Sequence, residues 1–268
     1  MDPLDAITRT LAGSGIAARR PLHGGDLSEV TRLTLEDGRD IVAKTGPMVD
    51  REARMLGAIR AARAPAPAVI GVSDDVLLME ALDEAGPGDG SWAAVAKALA
   101  TLHADTGEDY GWDEDYAFGR VEIVNAPRDD WPAFWGENRL RAHLPHLPGA
   151  LSTRLEALIA RLADILPERP RPALLHGDLW TGNLLFGPAP AVHFIDPACY
   201  YGDPEVDLAM LHLFGAPGPG FDAAYGPLDQ GWEERRAVYT LWPALVHLRL
   251  FGAGYRGLVE RLLDELGH

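Results

Sequence analysis

The sequence predicts an α+β chain folded as two lobes, a small β-rich one followed by a larger, mostly helical one. Three observations carry this expectation. Val30, Leu33 and Leu35 lead into an Asp37-Gly38 turn and Ile41, Val42 and Ala43 leave it, the pattern of a β-hairpin. Residues 83–91, DEAGPGDGS, are turn formers and acids with nothing to bury, which is the composition of a linker. Beyond them apolar residues recur mostly at helical spacing. The expected division is residues 1–82 as the N-terminal lobe, 83–91 as the hinge and 92–268 as the helical C-terminal lobe. A cleft between two lobes is the natural place for a small ligand.

The elements follow in order. Leu4, Ile7 and Leu11 predict a helix over 4–13, ended by Gly13 and Gly15. Lys44 closes the second strand of the hairpin. In PMVDREARMLGAIRAAR, Asp50 is placed to cap a helix that presents Met55, Leu56 and Ile59 on one face and stops before Pro65 and Pro67. Short apolar runs at 68–72 and 76–79 complete a small sheet. Ser91 is placed to cap the next helix. Helices are expected over 91–103, 129–144, 151–165, 204–213 and 232–265, interrupted by a β-like patch between 173 and 196.

Bulk properties narrow the function. No stretch of the 268 residues approaches the roughly 20 apolar positions of a membrane span. The first residues lack a basic region and an apolar run, and the single cysteine, Cys199, has no internal partner, so a cytoplasmic protein is expected. A net charge of -16 repels polyphosphate and the arginines are scattered, so no nucleic-acid partner is expected. Of 24 basic residues only Lys44 and Lys97 are lysine, which asks what a compact ammonium does there that arginine would not.

The chemistry concentrates in LLHGDLWTGN, residues 174–183. Phosphoryl transfer needs a carboxylate to orient the attacking hydroxyl and accept its proton, and an amide oxygen nearby can bind a metal ion. Asp178 and Asn183 stand at the five-residue separation of such a pair. Taken alone the same residues also fit an Asx-turn between strands, with His176 a core histidine. Asp196 ends the apolar run AVHFID, thirteen residues past Asn183, where a strand-loop-strand return brings it back beside the first loop. Two oxygen donors facing each other suit Mg²⁺ holding the phosphates of ATP. Lys44, followed eight residues later by Glu52 on the next helix, can be held by that acid so that its ammonium points at the phosphates. Gly24 and Gly25 in HGGDLS, residues 23–28, permit close backbone approach to phosphate, though a plain β-turn explains them about as well.

LLHGDLWTGN, FIDPACYYGDPEVDLAMLHLFG and RRAVYTLWPALVHLRLFGAGY together resemble the fructosamine-3-kinase (ketosamine-3-kinase) family, within the aminoglycoside-phosphotransferase and protein-kinase-like superfamily. The resemblance runs from about Pro21 to Tyr255 and is most specific in the tryptophan of HGDLW and in the YYGD run. It implies a bilobal protein-kinase-like fold that uses ATP and Mg²⁺ to phosphorylate the 3-hydroxyl of a ketosamine, after which the labile adduct releases its amine. Carried over by position, Asp178 is the catalytic base and Asn183 and Asp196 the metal ligands. Lys44 is the phosphate contact with Glu52 as its partner, and Gly24, Gly25 and Ser28 belong to the nucleotide-covering loop. LLMEAL is the hinge, with the backbone near Glu80 and Leu82 meeting adenine. Leu27 stands where many relatives carry a cysteine, and YYGDPE where others read YYGHRE, so Asp203 and Pro204 are expected to alter a helix start.

Two residues bear on the acceptor. Trp180 can pack its indole against the carbon face of a sugar, or fill space under the loop. His247, in WPALVHLRLFG, lies on a helix that the family places along the acceptor cleft, although a histidine between Val246 and Leu248 is also an ordinary core group. His103 in LATLH is expected to support the catalytic loop. The rivals are a hydroxyl kinase of the aminoglycoside or choline type and a silent nucleotide-binding module. A monomer or weak dimer is expected from the family.

Overall fold

In the computed structural model, residues 2–22 and 28–268 are described. Helix α1 (Pro3–Ala12) starts at Asp2, whose side chain accepts from the Leu4 N–H, and ends at Gly13 in the left-handed region. It leads into a five-stranded antiparallel sheet of β1 (Ile16–Leu22), β2 (Glu29–Leu35), β3 (Asp40–Thr45), β4 (Val69–Val72) and β5 (Val76–Glu80), in the order β1-β2-β3-β5-β4. The β2–β3 hairpin turns at Gly38, φ 86°, as expected. Helix α2 (Val49–Ala61) joins β3 to β4.

Strand alternation decides which side chains meet which helix. Ile41 and Ala43 of β3, with Val76 and Leu78 of β5, face Leu4, Ile7 and Leu11 of α1 in a small core. Leu77 and Met79 face the other way and join Val49, Met55, Leu56 and Ile59 of α2. Lys44 is opposite Leu77 in the register, so its side chain leaves the sheet on the α2 side. That is the physical origin of its pairing with Glu52.

The remainder is built from α3 (Ser91–His103), a hairpin of β6 (Tyr116–Phe118) and β7 (Val121–Ile123), and helices α4 (Trp131–Phe134), α5 (Gly149–Ile159) and α6 (Leu162–Ile165). It continues with β8 (Ala173–Leu175), β9 (Leu184–Phe186), β10 (Val192–Phe194), β11 (Tyr200–Gly202), α7 (Glu205–Leu211), α8 (Phe221–Tyr225), α9 (Trp232–Phe251) and α10 (Arg256–Glu265). Strand β8 pairs with β11 and β9 with β10. The larger apolar core runs without a break from α2 through β8 to Val238 and Leu241 of α9, and the Cys199 N–H points at the Met55 sulfur. The β-rich and helical regions therefore share a core behind the 83–90 segment, which itself holds no regular element. Among the described residues no helix is long and apolar enough to cross a membrane.

Several expectations are corrected. Ser91 does not cap α3: Gly90 stands at the cap with φ 78°, and the Ser91 hydroxyl accepts from the Gly88 N–H. Met48, φ 60°, precedes α2, while Asp50 lies in its first turn and pairs with Arg54. The expected helix over 129–144 is only partly α. After α4, capped by Asp130, the chain widens into a π-type stretch over Trp135–Leu140 and tightens to a 3₁₀ form through Pro145, which cannot donate to a regular helix. The 151–165 helix is broken at Ala160–Arg161. The 232–265 helix is broken at Gly252, φ 85°, a backbone angle that apolar periodicity does not reveal. The β6–β7 hairpin and β11 were not expected at all.

Candidate active site

The catalytic-loop sequence starts at the end of β8 and is held from behind. The buried Asp207 carboxylate of α7 accepts from the backbone N–H of His176 (2.7 Å) and of Gly177 (2.9 Å). His103 Nε2 lies 3.1 Å from the same carboxylate, and Tyr225 Oη 2.9 Å from His103 Nδ1. His103 thus supports the loop, through Asp207. Gly177 has φ 79°, and a Cβ there would sit 2.0 Å from the Ala198 carbonyl oxygen, so the position requires glycine twice over. His176 donates from Nε2 to the Ile195 carbonyl (3.0 Å) and receives the Asp178 N–H at Nδ1 (3.3 Å). Complete burial lowers its pKa, which keeps it neutral.

Asp178 and Asn183 meet as their spacing suggests. Asn183 Nδ2 donates to the Asp178 carboxylate (2.9 Å) and to the Asp178 carbonyl (2.7 Å), locking the loop into one turn. Burial pushes the Asp178 carboxyl up to about 7, against the opposing bond from Asn183 and with the negative charges of Asp196 and Asp207 adding to it. The β9–β10 pairing returns the chain to this loop, and the Ile195 N–H donates to the Asn183 carbonyl (3.1 Å). Asp196 therefore lies beside Asn183, in the left-handed region at φ 52°.

Lys44 links the sheet to this loop. Lys44 is only 7% exposed, and its ammonium is 2.7 Å from Glu52 and 2.7 Å from Asp196. Burial alone would lower its pKa, but the two carboxylates outweigh that and leave it raised. Burial raises Glu52 despite Lys44, and Asp196 adds to the rise. One oxygen of Glu52, Oε1, is buried without a hydrogen-bond partner among the described residues. Lys97 is exposed on α3, so of the two lysines only Lys44 occupies a built site.

The remaining candidates divide into groups. Gly24 and Gly25 lie outside the described residues, as does Leu27; Ser28 is half-buried just before β2. Glu80 ends β5 with an exposed side chain that accepts from the Ala68 N–H, while its own N–H donates to the Ala68 carbonyl. The Leu82 N–H has no partner among the described residues. Trp180 is half-buried, edge-on to Phe214 (centroids 5.8 Å), and its indole covers Gly182 so closely that a Cβ there would lie 2.2 Å from the ring. Phe214 in turn packs on His247 (5.3 Å), which touches Phe251 and Tyr255. His247 Nδ1 is 2.7 Å from the Pro243 carbonyl, so it donates there and leaves Nε2 as an acceptor; burial lowers its pKa. Trp180 and His247 belong to one aromatic surface with Phe214 as the bridge. Asp203 accepts from the Glu205 N–H and the Tyr239 hydroxyl, which makes it a helix-start group.

Sequence reasoning missed Asp207, Phe214 and Tyr116. Asp207 was visible only as part of PEVDLAM, and Phe214 only as an apolar residue beyond a helix end. Tyr116 stands on the unexpected hairpin. Burial raises its hydroxyl's pKa, and Glu52, Lys44, Asp196 and Asp178 are all near enough to bias it.

Comparison with known proteins shows the family of the chain. The sequence profile described as Fructosamine kinase matches residues 5–268. A chain of Enterococcus faecium assigned as a ketoamine kinase is 33% identical, covering 91% of this chain and 94% of its own. The chloroplastic protein-ribulosamine 3-kinase of Arabidopsis thaliana is 34% identical over 70% of this chain and 61% of its own. The crystal structure of a Thermobifida fusca protein assigned as a fructosamine-3-kinase superposes with TM-score 0.90 at 31% identity, over 98% of each chain. An amicoumacin kinase solved with AMP-PNP and Ca²⁺ shares the fold alone, with TM-score 0.60 at 15% identity over 99% of this chain and 93% of its own. With a loop that pairs Asp178 to Asn183, a returning Asp196 and a sheet lysine held by Glu52, the chain belongs to the fructosamine kinase family.

Proposed function

We propose that this protein transfers the γ-phosphoryl group of ATP to the 3-hydroxyl of a ketosamine, a sugar adduct of an amine, and that Asp178 is the base. The supporting observation is the joint placement of Asp178, Asn183, Asp196 and Lys44, next to an exposed aromatic surface. Asp178 orients the sugar O–H and takes its proton as the oxygen attacks the γ-phosphorus and the bond to the departing ADP breaks. Lys44, steered by Glu52, meets the phosphates as a point charge. The backbone near Glu80 and Leu82 meets adenine, with the Leu82 N–H, unpartnered among the described residues, as the donor.

The residues present fit a hard divalent cation, and Mg²⁺ is the one proposed. Asn183 spends its Nδ2 on Asp178, which leaves Oδ1 free, and Asp196 offers the carboxylate oxygen that Lys44 does not take. Two oxygen donors are what this chain would contribute, with phosphate and water completing the shell. When bound, the ion neutralises charge on the phosphates. Trp180 and Phe214 cover the apolar face of the sugar, and His247 Nε2 accepts a hydroxyl or ammonium proton.

ATP-dependent phosphorylation of ribulosyl-lysine and fructosyl-lysine, beside kanamycin and choline, tests this directly. Turnover of the ketosamines by the wild type and its loss in Asp178→Asn, with ATP still bound, is the expected result. Turnover of kanamycin or choline alone overturns the acceptor, and normal turnover in Asp178→Asn overturns the base.

A further inference from the structure

Helix α2 carries Glu52, and its orientation decides whether Lys44 is held toward the phosphates. Apolar contacts of Val49, Met55, Leu56 and Ile59 seat the helix in the core. Its outer side is tied differently. Arg54 makes a two-pronged pair with Glu114, with Nε–Oε1 and Nη2–Oε2 both 2.7 Å. Arg51 Nε lies 3.3 Å from the same carboxylate, and its Nη1 donates to the Asp115 carbonyl. Arg51 and Arg54 flank Glu52 one turn apart, so both contacts act on the rotation of the segment that aims Glu52.

Glu114 and Asp115 are not loose loop residues. They open the β6–β7 hairpin, and the buried Asn125 that closes it donates Nδ2 to the Glu114 carbonyl (3.0 Å) while its N–H donates to the Asp115 carboxylate (2.7 Å). Asn125 is gripped by Arg139 (Nη2–Oδ1 2.8 Å), which also donates to the Val124 carbonyl (2.6 Å). Arg139 is fully buried, its guanidinium 4.1 Å from the Tyr200 ring centroid, 4.7 Å from that of Phe134 and 5.3 Å from that of Trp242. A chain of polar contacts thus runs from the helical core through Arg139, Asn125 and Glu114 to the helix that aims Lys44.

We propose that the 114–125 hairpin is a strap between the two regions, and that Glu114 is a positioning residue for nucleotide binding, acting through Arg51 and Arg54 on Glu52 and Lys44. The proposal rests on the assignment of Lys44 as the phosphate contact. The strap ties α2 to the helical region, in addition to the covalent link through the 83–90 segment. Since Arg54 is half exposed, each pair is individually weak, and the clamp trims α2 rather than holding the fold together.

Equilibrium binding of Mg-ATP, measured without acceptor, tests this on wild type, Glu114→Gln, Arg54→Gln and the double variant, with Glu260→Gln as control. Glu260 pairs with Arg256 on the exposed face of α10, away from α2. Removing an acid from a chain of net charge -16 should by long-range electrostatics favour ATP, so a loss of affinity is the mark of the clamp. We expect Glu114→Gln to raise the dissociation constant and the KM for ATP about 3- to 10-fold, with the acceptor KM unchanged and the melting temperature lowered by only a few degrees. The double variant should be no worse than Glu114→Gln alone, since that change already releases both Arg51 and Arg54. Unchanged or tighter ATP binding in Glu114→Gln, or additive losses in the double variant, overturns the strap. Because binding is read without acceptor, a wrong ketosamine assignment appears separately, as wild type that binds ATP and leaves the sugars untouched. Lys44→Ala with wild-type ATP affinity overturns the phosphate contact itself, and the strap with it.

Discussion

The carboxyl proposed as the catalytic base works against stability here. Asp178 is pushed up to about 7 when folded, against 3.8 for the ordinary side chain. The sign follows from proton counting: between these values the native state holds a proton that the unfolded chain gives up, so stability through this group falls as pH rises from about 4 to 7. Above 7 the penalty for keeping the carboxylate ionised is fully in place. Asp178→Asn removes it while keeping the bond to Asn183 available. Asp178 is only half-buried, so the gain is about 1–2 kcal/mol rather than the full shift. In EDTA at pH 8 the variant should melt roughly 2–5 °C above wild type, and the gap should close toward pH 4. Thermal unfolding at both pH values checks this, and a variant that melts lower at pH 8 contradicts the burial of charge. The same variant should have lost nearly all turnover, since asparagine cannot accept the hydroxyl's proton.

Elements were legible where a periodic pattern was long and the chemistry local. The β2–β3 hairpin follows from alternation about Asp37-Gly38, and the meeting of Asp178 with Asn183 follows from their spacing in one turn. Strands of three residues, such as β6, β7 and β11, are too short to show a period, so the strap was invisible. Helix interruptions at Gly252 and Ala160–Arg161 depend on backbone angles that apolar spacing does not encode. The support behind the catalytic loop was only half legible, because Asp207 and the amides it binds are 30 and 31 residues apart. Its role makes a demand on the element: with an oxygen replaced by an amide NH₂, Asp207→Asn faces a donor toward donors at a fully buried site. The expected result is a loss of about 3 kcal/mol in stability and faster hydrogen exchange at the amides of His176 and Gly177. Exchange at those two amides as slow as in wild type, despite the substitution, contradicts the assignment.

At the scale of the molecule, the aromatic surface proposed to meet the acceptor is where sequence reading stopped short, because its parts come from three distant stretches. Trp180 belongs to the catalytic loop, Phe214 follows α7, and His247, Phe251 and Tyr255 end the long helix and the turn beyond it. Nothing in the order of residues announces that they share a surface; folding of α7 and α9 against each other brings them together. Phe214 is 49% exposed and Phe251 53%, so this surface is open rather than a closed core. That exposure separates two readings of Trp180, since a ring that only packs the fold should be needed for stability and one that meets sugar should not. Phe214→Ala leaves the catalytic loop intact and removes the bridge between Trp180 and His247. It should raise the ketosamine KM about 5- to 20-fold, leave the ATP KM unchanged and lower the melting temperature by no more than about 2 °C. Trp180→Ala should follow the same pattern more strongly. If both variants instead lose stability while the surviving folded enzyme keeps its acceptor KM, the aromatic surface is scaffolding and recognition lies elsewhere in the cleft.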